Sequence, residues 1–433
     1  MAGHRAILVR TPAGYGIVTD SDLRRRVLAE GLSSDRPIAD AMTFPVRVVD
    51  PDRPADDVAL EMLEADIHHF PVVKGESVVG MVSDLELLDH QRRMPFALRY
   101  RIDSARAPEE LAEVGHSFPR AAVDLWRGGV DAAHVGQWLS VLTDRLTVRL
   151  LDAGVERLGP APVRWAWLAL GSVGRREQAL TADQDHALIY ANEGEVHDAY
   201  FGALADEVVT ALADAGFPEC ESRVMATEPA WRMSLGNWLS RLDQWIAEPD
   251  RLYTFLSEIV FDYRQIGGTL CVVAELDRMT GTAASNPRFI KRLGAIAIEH
   301  RSPLGLFGRL KPIEVGGQRV LDIKKTGLFP VVEAARALAL GSGVTAPSTL
   351  ERLRRVAQDP EWSYGSTSLT QVFKAMQQVR FQHQAQQLDA GLPPDDLVKP
   401  EQLDRLTRLH MKDAFRVLRS TLDHLANQLD LVR

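Results

Sequence analysis

What the chain has little of limits it first. Only two of its 433 residues are cysteine, Cys220 and Cys271. Two thiols cannot build a disulfide framework or a cysteine-rich zinc site, and they fit a reducing compartment, so the cytoplasm is the expected location. No apolar run approaches the roughly 20 residues of a membrane span, and the opening "MAGHRAILVRTPAGYG" lacks a signal-peptide core, so no membrane role is expected. Positive charge is not in excess: 50 Lys and Arg face 59 Asp and Glu, for a net charge of −9. Without an overall basic field, nucleic acid is disfavoured as a partner. Aromatic residues are 7% of the chain, but apolar residues are 45% and charged residues 25%, the balance of folded globular domains. The length predicts about two to four of them.

The N-terminal part echoes itself. "GYGIVTDSDLRRRVL" from Gly14 and "VVGMVSDLELLDHQ" from Val79 each run from a short apolar strand through Thr or Ser to an acid three residues on, then into a helical pattern. Between them, "FPVRVVDPDRPADDVALEMLEADIHHFPVVKGESVVGMVSD" reads strand, helix, strand, hairpin, strand, with a turn at Asp50-Pro51 and another at Gly75. This order resembles a CBS module, which works in pairs. The second copy, about 44–89, is complete, and the first contains only its final strands and helix. That arrangement implies an N-terminal segment missing upstream. Residues 1–92 are thus expected to form the CBS pair, 93–159 a helical connector, 160–285 an α/β domain and 286–433 a mostly helical domain.

The stretch "GSVGRREQALTADQDHALIY" (171–190) carries the chemistry. On a strand, residues two apart share a face, so Asp183 and Asp185 point together. Converging carboxylates repel unless a cation lies between them, and hard oxygen donors beside a triphosphate suit Mg²⁺ or Mn²⁺. The preceding Gly171-Ser172 turn follows a buried strand ("VRWAWLALGS") and opens a short helix, where backbone amides and a hydroxyl can meet phosphate. Arg175 or Arg176 can neutralise phosphate charge with a planar fork of donors. Strand, Gly-Ser turn, helix and D-x-D strand is the arrangement of polymerase beta-like nucleotidyltransferases. In that fold a third carboxylate comes from a later strand. Asp262 in "IVFDYR" is the candidate, with Arg264 on the same face as a further contact for a nucleoside triphosphate (NTP).

From these residues the chain resembles bacterial signalling proteins that join a CBS pair to a nucleotidyltransferase domain related to the PII-protein uridylyltransferase. The family pattern, close to G-S-x-G-R-x-E-Q-x-L-x-[TS]-D-Q-D-N-A-L-I, is matched at Gly171, Ser172, Gly174, Arg175, Glu177, Asp183, Gln184 and Asp185. Ala182 and His186 depart from it. "CESRVMATEPAWRMSLGNW", "IVFDYRQIGG" and the helical last third, with Pro394-Asp395-Asp396 for the usual Pro-Asp-Asn, extend the similarity over most of the chain. The resemblance implies an α/β multidomain protein made of CBS modules, a nucleotidyltransferase domain with a mixed sheet, and a helical substrate-binding domain. It implies transfer of a nucleoside monophosphate (NMP) from an NTP to an acceptor, plausibly a protein hydroxyl as in PII uridylylation. Asp183, Asp185 and Asp262 would hold Mg²⁺ (or Mn²⁺). Gly171, Ser172, Gly174, Arg175 and Arg264 would contact the triphosphate, with Glu177 orienting the arginine or the turn.

The CBS resemblance implies that Thr19 and Asp22, and Ser83 and Glu86, hold an adenosine ligand such as AMP or ATP, although the same spacing makes a helix cap. It also implies a homodimer. Adjacent histidines diverge, so His68-His69 is a poor chelate. The seven-residue spacing of Trp231, Trp238 and Trp245 reads as helix core. "LDIKK", with Lys324 and Lys325, is placed by resemblance toward the active-site cleft. The other class of function open to such a chain is a catalytically silent adenine-nucleotide sensor.

Overall fold

The computed structural model describes residues 6–33, 35–87, 94–249, 259–300, 302–305 and 309–431. The chain divides into two compact units, 1–96 and 97–433. Among the described residues, no helix is long and apolar enough to cross a membrane.

The first unit is built from two hairpins. Strands β1 (Ala6–Thr11) and β2 (Gly14–Thr19) pair antiparallel and run into a helical segment, Asp20–Asp22 and then the π-helix Leu23–Ala29. Helix α1 (Ala55–Ala65) buries Val58, Ala59, Met62 and Leu63, at helical spacing. β3 (His69–Lys74) and β4 (Ser77–Ser83) form the second hairpin, turning at Gly75 with φ +64°. The strand expected around Val49 is only a parallel bridge to Val72. Pro45, Pro51 and Pro54 crowd that stretch, and proline cannot donate to a ladder. Val49, Val58, Met62 and Phe70 form the small core.

The second unit begins with α2 (Met94–Ser104), α3 (Pro108–Arg127) and α4 (Ala132–Leu158). These helices do not merely connect. Gly136 of α4 lies so close to the backbone of Gln178 that a Cβ would be 2.8 Å from its carbonyl oxygen. The central sheet has the order β7-β6-β5-β8. β5 (Trp165–Ala169) runs antiparallel to β6 (His186–Tyr190) and to β8 (Arg264–Gly268), while β7 (Arg232–Ser234) is parallel to β6. β5 and β6 are buried at every position, so their apolar runs do not alternate. Helices α5 (Asp198–Asp214), α6 (Leu235–Ala247), α7 (Val273–Ala284) and α8 (Pro287–Glu299) follow the strands. Trp231, Trp238 and Trp245 all join the core, with Trp231 just before β7 and the other two on α6. The helix expected over 253–258 lies outside the described residues.

The last third is helical, with a small sheet inside it. β9 (Ile313–Val315) and β10 (Gln318–Asp322) form a hairpin through Gly316-Gly317, both at positive φ, and β11 (Leu397–Val398) joins the other edge of β10. Paired positive φ values are what a two-residue hairpin turn requires, so the glycines marked the hairpin as well as a helix break. A short π-helix (Lys324–Leu328) leads into α9 (Phe329–Gly341), followed by α10 (Thr349–Val356), α11 (Ser363–Asp389) and α12 (Arg405–Gln428). The strand pairing places the site: Ala169 at the end of β5 stands opposite His186, which opens β6, and Arg264, which opens β8. The chain segments entering or leaving these three strands therefore meet at one end of the sheet.

Candidate active site

The turn after β5 is held against the segment before β6. The Leu170 amide donates to the Asp185 carbonyl (2.9 Å), and Gly171 adopts φ +56°. A Cβ at Gly171 would overlap the Asp185 carboxylate, and one at Gly174 would overlap the carbonyl oxygen of Asp262. These two glycines are required by close approach.

Asp183 and Asp185 come together as their spacing predicts, with a third group that the spacing could not announce. One carboxylate oxygen of each and the Cys220 sulfur lie within 4.8 Å of one another. Burial and the neighbouring Asp183 charge push the Asp185 carboxyl up to about 6. Burial and the Asp185 charge push the Cys220 thiol up to about 12, and this protonated thiol donates to Asp185. The pair of carboxylates fits a hard divalent cation. The thiol fits as a hydrogen-bond donor behind them, since hard cations prefer oxygen. Lys324, from the helical domain, also favours the charged form of Asp185.

Asp262 is not in that group. It sits in the turn before β8, fully buried, and its carboxylate is taken by arginines. Arg175 Nη1 donates to Oδ2 (2.5 Å), Arg352 Nη1 to Oδ1 (2.6 Å), and Arg336 binds both oxygens. Burial raises the Asp262 pKa, but Arg336, Arg352 and Arg175 outweigh it and hold the carboxyl well below its usual range. The sequence expectation that Asp262 joins the cation-binding pair is therefore not what the geometry gives. Both its oxygens are committed to guanidinium groups.

The other candidates divide in the same way. Glu177 accepts from Arg175 Nε (2.8 Å) and also from the amide and hydroxyl of Thr349, at the start of α10. Arg264 is bidentate on Asp144 of α4 and donates to the Val173 carbonyl, so its fork is spent on the scaffold. Ser172, half-buried, remains at the turn. His186 is neutral, since burial lowers its pKa to about 3. Its Nδ1 accepts from the Ala226 amide (3.0 Å), so Nε2 carries the proton toward Gln184 Oε1. It anchors β6 to the loop after Cys220 and faces away from the carboxylates, as alternation requires. Cys220 appeared in the sequence only as part of a longer segment; its place beside Asp185 had no local signal.

In the first unit, Thr19 and Asp22 form a reciprocal capping box, and Ser83 gives its amide and hydroxyl to Glu86 (both 2.9 Å). All four residues line one cleft of about 1110 Å³, with Arg24, Arg25 and Arg47 on its walls. Helix capping and a shared cleft thus coexist in the same residues.

Comparison with protein families gives three matches. Residues 116–251 match "Putative nucleotidyltransferase DUF294", residues 287–429 match "Putative nucleotidyltransferase substrate binding domain", and residues 38–93 match the CBS domain. The first match takes in much of α3 and all of α4. No curated protein is similar enough to match the chain.

Two outcomes follow from the contrast between the carboxylates. Because the folded state raises the Asp185 pKa, the stability this group contributes is present at low pH and lost as pH rises through about 6. In metal-free protein at pH 8, Asp185→Asn should therefore raise stability by roughly 1–3 kcal/mol. It should also abolish the rise in melting temperature that Mn²⁺ gives the wild type. A metal-free Asn variant no more stable than wild type would refute the repulsion. Asp262→Ala should instead cost about 3–5 kcal/mol in chemical denaturation, because it leaves guanidinium groups buried without their carboxylate. An Ala variant as stable as wild type, but unable to bind Mn²⁺, would return Asp262 to the cation.

Proposed function

The chain belongs to the CBS-containing nucleotidyltransferase family with a C-terminal substrate-binding domain, and on that premise we propose that it is a metal-dependent nucleotidyltransferase that moves an NMP from an NTP to an acceptor. The observation that carries this reading is the Asp183–Asp185 pair, brought together at the sheet end beside the Gly171-Ser172 turn. Two carboxylates that repel each other in a partly buried site are matched to a cation, and a cation there is matched to triphosphate.

In this reading Asp183 and Asp185 hold Mg²⁺ or Mn²⁺. When bound, the ion supplies charge neutralisation of the triphosphate and its leaving pyrophosphate. Cys220 holds the Asp185 carboxylate in orientation through its S–H. Gly171 and Ser172 let the backbone and a hydroxyl approach phosphate. Arg175 is fixed by Glu177 and Asp262, so its charge is oriented before substrate arrives. The acceptor hydroxyl oxygen forms a bond to the α-phosphorus, the bond to the bridging oxygen of pyrophosphate breaks, and the hydroxyl proton is released to solvent. A protein hydroxyl, as in uridylylation, is the acceptor that family-level analogy favours. The cleft of the first unit takes AMP or ATP as the regulatory ligand.

A specific observation favours the second reading, a catalytically silent nucleotide sensor: the third acid is withdrawn into the arginine cluster. The two readings separate in one assay. Purified chain is incubated with α-labelled UTP, ATP, CTP or GTP, with Mg²⁺ or Mn²⁺ and host extract, beside an Asp183→Ala/Asp185→Ala variant. Label on a discrete macromolecule with the wild type alone is the expected result. NTP binding without label from any nucleotide would favour the sensor. Added AMP should change the labelling rate; a rate unmoved by AMP, ADP or ATP would remove the regulatory role.

A further inference from the structure

Two of the arginines that the sequence offers to triphosphate are largely spoken for. Arg264 is bidentate on Asp144, and Arg175 commits two nitrogens to Glu177 and Asp262. An NTP carries several negative charges into a site that already holds two carboxylates. The cation nearest to meeting that need comes from the other domain. Lys324 opens the π-helix after β10, is exposed, and makes no ion pair among the described residues. The adjacent Lys325 instead pairs with Asp322 (3.8 Å), whose Oδ1 also accepts the Lys325 amide (2.8 Å).

The position of Lys324 is set by the same residues that set the carboxylate loop. Asp396 accepts from Arg380 at both oxygens (2.6 and 2.9 Å) and from Gln384 Nε2 (2.8 Å). Arg380 Nη2 and Gln384 Nε2 both donate to the Thr181 hydroxyl (3.2 Å each), and Gln384 Oε1 accepts from the Leu180 amide (3.2 Å). On its other side, the Asp396 carbonyl accepts from the Ile323 amide (3.0 Å). One hub therefore fixes the chain two residues before Asp183 and one residue before Lys324. The Lys324 charge is felt at Asp185 across this arrangement.

We propose that Lys324 is a triphosphate-binding residue, supplied by the helical domain to a donor site that the nucleotidyltransferase sheet leaves short of cations. The hub of Asp396, Arg380, Gln384 and Thr181 holds it in place. This rests on the reading of the Asp183–Asp185 pair as an NTP site. It gives the helical domain a part in binding the donor, in addition to any part in binding the acceptor.

The test is calorimetric titration of the full chain with UTP and ATP in the presence of Mn²⁺, which needs no turnover and no acceptor. Lys324→Met should weaken binding about tenfold, the scale of one lost charge-assisted phosphate contact. Lys324→Arg should bind nearly as wild type does, and Lys325→Met should be unchanged, because that lysine is engaged with Asp322. Equal affinity of Lys324→Met and wild type would overturn the proposal. So would equal losses in the Lys324→Met and Lys325→Met variants, which would reduce the effect to general surface charge. A wild type that binds neither nucleotide would instead overturn the reading of the site itself, and this inference with it.

Discussion

The buried carboxylate of Asp262 is the interaction on which the second unit depends. It gathers Arg175 from the turn after β5, Arg336 from α9 and Arg352 from α10. Glu177 and Glu333 bind two of the same arginines, so three acids face three bases. Taking so many charges out of water is costly, and a buried ion pair is weak evidence for stability in itself. What the cluster gives is specificity of arrangement. Each arginine is planar and multiply bonded, so each element it comes from has one permitted position. Arg352 also ties back to the Phe261 carbonyl, and Glu177 accepts the first amide of α10. The sheet end and the helical domain are fastened at the level of individual atoms.

The consequence reaches the candidate site through Arg175, whose guanidinium belongs both to the cluster and to the electrostatic surroundings of Asp185. Any shift of α9 or α10 must be felt at the Gly171–Gly174 turn. The Asp396 hub is a second fastening on the opposite side, joining α11 and the β10 region to the loop before Asp183. The substrate-binding domain and the nucleotidyltransferase domain therefore form one packed unit, in agreement with the undivided compactness of residues 97–433.

The parts legible in sequence were those whose cause is local. The buried runs of β5 and β6, the Gly-Ser turn and the D-x-D pair all follow from periodicity and residue chemistry within twenty positions. Asp262 shows the limit. Its acidic side chain after an apolar run had the right type and context for a third cation ligand. Its actual partners, Arg336 and Arg352, lie 74 and 90 residues further along the chain. Arg264 was misread for the same reason, since its carboxylate, Asp144, lies 120 residues earlier. Cys220 reaches Asp185 only because the loop after α5 returns beneath β6, where Gln184 bonds the Phe217 carbonyl. Thr19 and Asp22 were ambiguous in sequence because cap and ligand geometry ask for the same spacing, and the structure shows the cap at the wall of a cleft.

The two acidic centres are a few residues apart in space and opposite in electrostatic character. Asp262 is buried further than Asp185 yet has the lower pKa, because its charge is met by fixed guanidinium groups. Asp183 and Asp185 are given a weak thiol donor and one lysine at a distance, and the balance leaves Asp185 hard to ionise. A fold able to neutralise one carboxylate so completely has left its neighbours uncompensated. Such residual repulsion is what a protein retains where an ion and an anionic substrate must complete the site. The satisfied acid makes the scaffold rigid, and the unsatisfied pair, held at the rim of that rigid scaffold, is where binding energy can be realised.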